Sequence, residues 1–206
     1  MAKSLGGIDK LKKAAEKCRD CDLYKYATQV VFGEGSAKAS LIIVGEQPGN
    51  EEDLQGEPFV GPAGAMLKKC LEAAGVPLAE VYLTNAVKHF KFKQAAPGKR
   101  RIHDKPNAMQ INACHHWLED EISVIHPKVI LALGVTAGKS VLGRNPKIST
   151  ERGKDLAESD DSPSIYVSWH PSAILRNPDR ERADQLRHEL IKDLKMIWKK
   201  ISATER

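Results

Sequence analysis

Four short apolar runs recur along the chain, each closed or followed by turn residues and separated by stretches of helical periodicity, and this alternation leaves few folds open. Leu41-Ile-Ile-Val44 stops at Gly45, and Val81-Tyr-Leu-Thr-Asn-Ala-Val87 forms a second run. Lys128-Val-Ile-Leu-Ala-Leu133 stops at Gly134, and Ile165-Tyr-Val-Ser-Trp169 stops at His170-Pro171. Runs of this length and composition read as strands buried on both faces. Between them Ala63–Ala74 ends at Gly75, Ala108–Ile125 ends before Pro127, and Thr136–Leu142 ends at Gly143. Arg180–Lys200 repeats Leu186, Leu190, Leu194 and Ile197 at helical spacing. Strands alternating with helices pair in parallel, so the pattern predicts a three-layer α/β/α domain around a central four-stranded parallel sheet. The whole chain, 1–206, is read as one such domain, in which the N-terminal helix-and-loop segment 8–36 needs something to fasten it.

In sheets of this kind ligands sit beyond the C-terminal strand ends. Those ends gather Gly45–Asp53, Asn85–His89 and His170–Ser172 around one cleft. Hydrophobic residues make up 41% of the chain, enough for a real core. No apolar run approaches the roughly 18–20 residues that cross a bilayer. The start, Met1-Ala-Lys-Ser-Leu-Gly-Gly7, has no apolar stretch to direct export, which places the chain in the cytoplasm. A net charge of +5 fits a nucleic-acid binder as well as a neutral enzyme. Its distribution says more: Lys88 to Lys105 is crowded with Lys and Arg around one acid, Asp104, whereas Glu46 to Glu57 holds five acids and no base.

Four cysteines in a reducing compartment raise the question of metal before disulfides. Cys18-x-x-Cys21 brings two thiolates within reach of one metal or cluster, and Cys114 offers a third. Spacing alone leaves a zinc site, an iron–sulfur cluster, a redox dithiol and uncoordinated buried thiols all open. Cys70 falls beside Leu67, Leu71 and Ala74 on the core face of its helix and reads as packing. Gly45-Glu-Gln-Pro-Gly-Asn-Glu-Glu-Asp53 carries acids where a phosphate loop needs glycines and a lysine, which argues against a nucleotide phosphate. Glu46 is held in a tight turn, as a catalytic carboxylate must be; a solvated strand-end glutamate is the plain alternative. Phe59, set between glycine and proline turns, offers either a core ring or a rigid shelf for a flat ligand. Asn85 gives and accepts in one plane, as reading a pyrimidine edge requires.

Taken together, Gly45-Glu-Gln-Pro-Gly49, Glu52-Asp53, Gly56-x-Pro-Phe-Val-Gly-Pro-Ala-Gly64, Thr84-Asn-Ala-Val-Lys88 and His170-Pro-Ser172 resemble the iron–sulfur uracil-DNA glycosylases. Lys88-His-Phe-Lys-Phe92, followed by Gly98-Lys-Arg-Arg-Ile-His103, resembles more narrowly their family X branch (UdgX). The resemblance implies a [4Fe–4S] cluster on Cys18, Cys21, His89 and Cys114 that fastens segment 8–36 to the body. His89 stands where the hydrolytic branch carries Cys, and imidazole replaces thiolate on one iron of Rieske centres.

The same resemblance implies uracil-containing DNA as the partner, with single strands favoured because extruding a base costs least there. Phe59 would stack on the flipped base, Asn85 would bond its Watson–Crick edge and Gln47 would hold the carbonyl side. His170 would donate to uracil O2 while Glu46 faces an oxocarbenium-like sugar. His103 would then attack C1′ and leave protein and DNA covalently joined, where an ordinary glycosylase admits water and releases an abasic site. Lys99, Arg100 and Arg101 would dock phosphates or brace the loop, with Pro62, Ser172 and Arg176 as further DNA contacts. Asn50 stands where the branch has an aspartate.

The remaining residues take plainer readings. His115, His116, His126 and His188 match no motif, and Lys88, Lys91 and Lys93 read as solvated. Lys93–Lys105 and Ser159–Ser164 read as exposed polar loops. No heptad or edge-strand signal argues against a monomer. A turnover glycosylase, a non-enzymatic iron–sulfur DNA-binding module and a zinc hydrolase of free nucleosides are the competing functions.

Overall fold

The computed structural model describes residues 7–94, 101–159 and 162–203. In chain order the elements are α1 (Gly7–Ala15), β1 (Glu34–Gly35), β2 (Leu41–Gly45), α2 (Asn50–Gln55), α3 (Pro62–Ala74), β3 (Val81–Asn85), β4 (Phe92–Gln94) and β5 (Arg101–His103). They continue as α4 (Ala108–Ile125), β6 (Val129–Leu133), α5 (Gly134–Leu142), α6 (Ile148–Glu151), β7 (Ser164–Ser168), α7 (Pro171–Leu175) and α8 (Arg180–Ala203). The four expected strands pair in parallel in the order β3-β2-β6-β7. A two-residue antiparallel edge, β1 beside β3, makes the sheet five-stranded.

Side chains alternate across the sheet with period two, so each strand feeds two cores at once. Leu41, Ile43, Leu131 and Leu133 join Leu67, Leu71, Leu186, Leu190, Leu194 and Ile197 of α3 and α8 on one face. Ile42, Val44, Ile130 and Ala132 meet Leu118, Ile125 and Ala137 of α4 and α5 on the other. Each such Leu or Ile contributes about 1.5–3 kcal/mol relative to exposure. Cys70 is 1% exposed within the α3–α8 core, as its packing position predicts. A third cluster of Ala15, Cys18, Leu23, Phe32, Val87, Ile111, Cys114 and Trp117 packs the N-terminal segment against α4, and Gln110 of that helix donates to Asp22 at 2.9 Å.

Three expectations are corrected. The run Val81–Val87 is strand only to Asn85. Ala86 and Val87 instead donate backbone N–H groups to Gly45 and Glu46 at 2.9 and 3.1 Å, and so fold over the end of β2. Lys93–Lys105 is not simply a polar loop, because β4 and β5 form a hairpin pairing Phe92 with His103 and Gln94 with Arg101. Strands of three residues carry too little alternation for a period to show. Lys88, read as solvated, is fully buried, because Glu121 waits 2.7 Å from its ammonium.

Candidate active site

The parallel strands are added on both sides of β2, and the carboxyl ends of β2 and β6 flank the crevice where such sheets bind ligands. Glu46 leaves β2 there, and Thr136 lies in the first turn of α5 directly after β6. The Thr136 hydroxyl donates a short hydrogen bond to Glu46 Oε2. Glu46 Oε1 lies 3.3 Å from His103 Nε2 on β5. Thr136 carried no signal in the sequence beyond the glycine two residues before it. Gly134 holds φ +85, and a Cβ there would sit 3.3 Å from His170 Cβ, so the β6–α5 turn touches both Glu46 and His170.

His103 reaches the crevice because the hairpin is strapped from three sides. Gln47 Nε2 donates to the carbonyls of Lys91 and Asp104 at 3.1 and 3.0 Å, and Gln47 Oε1 accepts from Lys91 N–H at 3.1 Å. Both amide hydrogens of Gln47 are thus engaged by the hairpin, which corrects the expectation that Gln47 holds the carbonyl side of the base: its amide is committed to the segment that carries His103. Arg101 points to the same side of β5 as His103 and lies over Phe90 and Phe92, 5.3 and 4.9 Å from their centroids. It donates to Asp53 Oδ2 at 2.6 Å and to Asn50 Oδ1 at 2.8 Å. Asn50 therefore supplies a neutral acceptor where a carboxylate was expected, and the fully buried Asp53 supplies the charge. Lys91 and Lys93, read as solvated, both face Asp104, at 3.7 and 3.4 Å. Lys99 and Arg100 lie outside the described residues.

Burial pushes His103 below the ordinary imidazole value, with Arg176 and Lys105 acting the same way against Glu46 and Asp104. Burial first, then Arg176 and His103, push His170 down to about 4. His170 Nδ1 accepts from the Ser172 backbone N–H at 3.1 Å. An N–H can only donate, so the neutral ring carries its hydrogen on Nε2. Ser172 Oγ, 2.8 Å from His170 Nδ1, in turn accepts from Arg176 Nη2 at 2.7 Å.

Phe59, Asn85 and Gly45 meet beside these groups. A Cβ on Gly45 would fall 2.3 Å from Asn85 Oδ1 and 2.9 Å from Phe59 Cζ, so only glycine lets the ring and the amide approach. Phe59 itself adopts φ 56, and its carbonyl would lie 1.8 Å from a Cβ on Gly64. Glu52 ties this loop to the Gly45–Gly49 turn by accepting from Gly49 and Gly61 N–H at 3.1 and 3.0 Å. Pro62 opens α3 at the edge of the same loop.

Cys18 and Cys114 lie in one buried cluster, with Cys21 packed against it. Trp117 Nε1 donates to Cys18 Sγ at 3.3 Å and Lys88 N to Cys114 Sγ at 3.1 Å, while Cys18 Sγ donates to Asp20 Oδ2 at 3.1 Å. His89 is 3% exposed, and its Nδ1 finds no hydrogen-bond partner among the described residues. A buried ring nitrogen left so is costly unless a ligand takes its lone pair. No three His, Cys, Asp or Glu among the described residues stand as a site for a single metal ion. The chemistry of these donors, three sulfurs and one imidazole, is that of iron–sulfur ligands. The other histidines take surface roles: His115 faces Glu119 at 3.4 Å, His116 faces Asp20 at 3.0 Å, His126 caps α4 and His188 bonds the Asp184 carbonyl.

The chain is similar to known proteins over most of its length. Residues 32–195 match the family described as the uracil DNA glycosylase superfamily. A Type-4 uracil-DNA glycosylase of Pyrobaculum aerophilum is 34% identical over 93% of this chain and 93% of its own length. Another, from Thermotoga maritima, is 35% identical over 89% of each chain. A Type-5 uracil-DNA glycosylase of Pyrobaculum aerophilum is 28% identical over 85% of this chain and 80% of its own. Matching across the sheet, the crevice and most of α8, the chain belongs to the uracil DNA glycosylase superfamily.

Proposed function

We propose that the protein excises uracil from DNA, preferring single strands, and then bonds through His103 to C1′ of the abasic sugar. The observation that carries this reading is the placement of His103 Nε2 against Glu46 Oε1 at 3.3 Å, by a hairpin strapped over the crevice. A hydrogen on the ring nitrogen facing Glu46 leaves the lone pair on the opposite nitrogen, and a neutral imidazole is what nucleophilic attack requires.

In this reading Phe59 stacks on the extruded base and Asn85 bonds its edge. The N-glycosidic bond breaks with its electron pair going to uracil, whose O2 receives the His170 Nε2–H. Ionised Glu46 faces the positive sugar. The lone pair of His103 then forms the bond to C1′, and the resulting imidazolium passes its remaining N–H proton towards Glu46. Gln47 and Arg101 hold the hairpin for this step. Pro62, Ser172 and Arg176 line the DNA side of the crevice. A [4Fe–4S] cluster on Cys18, Cys21, His89 and Cys114 would supply a cross-link between the N-terminal segment, the end of β3 and α4. The chain acts as a monomer in the cytoplasm.

The likeness to Type-4 uracil-DNA glycosylases supports a second reading, a turnover glycosylase in which His103 only touches DNA. One experiment separates the two. The protein is mixed with an end-labelled single-stranded oligonucleotide holding one uracil, boiled in SDS and run on a denaturing gel. A slow band that requires uracil supports the covalent reading; free DNA that breaks at the uracil position under alkali selects turnover.

A further inference from the structure

Lys88 and Glu121 are the one ion pair among the described residues in which both side chains are wholly buried. The ammonium's three hydrogens are all engaged: Lys88 Nζ donates to Thr84 Oγ1 at 2.7 Å, Asn85 O at 2.8 Å and Glu121 Oε2 at 2.7 Å. Glu121 is as fully used. Its Oε1 accepts from Tyr82 OH at 3.0 Å and Gly33 N–H at 3.1 Å, and Thr84 Oγ1 lies 2.9 Å from its Oε2. The Phe32 ring lies 5.5 Å from the ammonium and closes the site.

Stability is weak grounds for such a pair, because replacing a buried ion pair by apolar residues of similar volume is often neutral. What the pair does is geometric. The chain turns sharply at Asn85 as β3 ends, where its carbonyl would otherwise point into the protein without a strand partner. The ammonium takes that carbonyl, and Glu121 fixes the ammonium to α4.

We infer that the Lys88–Glu121 pair is a positioning device for Asn85, holding its backbone so that the side chain meets the base edge. This rests on the reading of Asn85 as the base-contacting group. Lys88 touches neither base nor sugar, so it acts only through Asn85. Its contribution must therefore vanish when the Asn85 side chain is removed.

A double-mutant cycle reads this directly. Single-turnover uracil excision is measured on a single-stranded oligonucleotide for the full chain, for Asn85→Ala, for Lys88→Met with Glu121→Leu, and for all three changes together. Melting temperature and visible absorbance are recorded for each. The paired change is expected to melt below the parent, because Tyr82 OH, Gly33 N–H and Asn85 O lose their buried partners, and, in the folded chain, to slow excision roughly a hundredfold, the scale of a small misplacement at a reacting group. On the Asn85→Ala background it is expected to add no further loss. Losses that multiply, or a paired variant as fast as the parent, overturn the inference. The cycle is run well below the melting temperature of every variant, where all four chains are folded, with the same two outcomes. A parent protein that leaves uracil in place overturns the glycosylase reading and this inference together, and the parent arm alone reveals it.

Discussion

Glu46 Oε1 and His103 Nε2 stand 3.3 Å apart although 57 residues separate them along the chain. One directly follows a central strand of the main sheet and the other ends a hairpin that belongs to no part of that sheet. The carboxylate is oriented from behind by Thr136, and the imidazole from above by the Gln47 and Arg101 contacts.

His103→Ser is expected to abolish the SDS-stable band and to release abasic DNA, since a small side chain lets water reach C1′. The denaturing gel with and without alkali reads both products. Cross-linking unchanged in that variant would remove His103 from the reaction.

Thr136→Val removes the hydroxyl that fixes one oxygen of Glu46 while keeping the volume of the side chain. A hydrogen bond to a charged group contributes about 1.5–3 kcal/mol, so excision should slow about tenfold or more. Thr136→Ser, which restores the donor, should recover most of the rate. A Val variant as fast as the parent, with loss only in the Ser variant, would show that the methyl group, not the hydroxyl, matters.

The pH dependence has a definite sign. Only neutral imidazole has a lone pair, and burial holds His103 below the ordinary value of about 6.5. Adduct formation should therefore persist as pH falls through about 6.5 and fail only below it. His170, pushed down to about 4 chiefly by burial, remains a neutral Nε2–H donor throughout. Because the unfolded chain protonates that ring near 6.5 and the folded one only near 4, its contribution to stability is complete above 6.5 and declines as pH falls towards 4. Initial rates of adduct formation across this range check the first point, and an acid limb centred above 6.5 would contradict it.

His89→Cys should keep the visible absorbance of an iron–sulfur protein and lower its reduction potential, because a thiolate adds negative charge to the cluster. Cys114→Ser should lose the absorbance and lower the melting temperature. Purified protein that is colourless when prepared without oxygen would rule the cluster out.

Arg101→Met keeps an alkyl stem over Phe90 and Phe92 but leaves the buried Asp53 carboxylate without its cation. Breaking such a pair from one side costs about 3–5 kcal/mol. The hairpin should loosen, and the ratio of covalent adduct to free abasic product should fall. A ratio equal to that of the parent would mean that Gln47 alone holds His103 in place.

The four parallel strands and the long helices were legible because each carries enough periodic residues to declare itself. Leu41–Val44 and the Leu186–Ile197 stripe lie where their patterns placed them. The hairpin was not legible, since three residues per strand make no period and its partners are Gln47, Asn50 and Asp53 from elsewhere in the chain. The site motifs were legible as motifs: Glu46, Phe59, Asn85, His103 and His170 all border one crevice. Thr136 was not, because a threonine in a helix's first turn looks the same whether or not a carboxylate lies opposite.

Composition and periodicity by themselves determined the layers, the parallel pairing and the end of the sheet where ligands bind, because local pattern decides which face of each element is buried. Only the tertiary structure decided that Lys88 is buried and paired rather than solvated. Only it showed that Gln47 has both amide hydrogens on the hairpin, and that His89 Nδ1 is buried with no hydrogen-bond partner among the described residues. The physical reason is the same in each case. A polar group's energy depends on the partner that meets it, and these partners lie tens of residues away along the chain, where no local pattern records them.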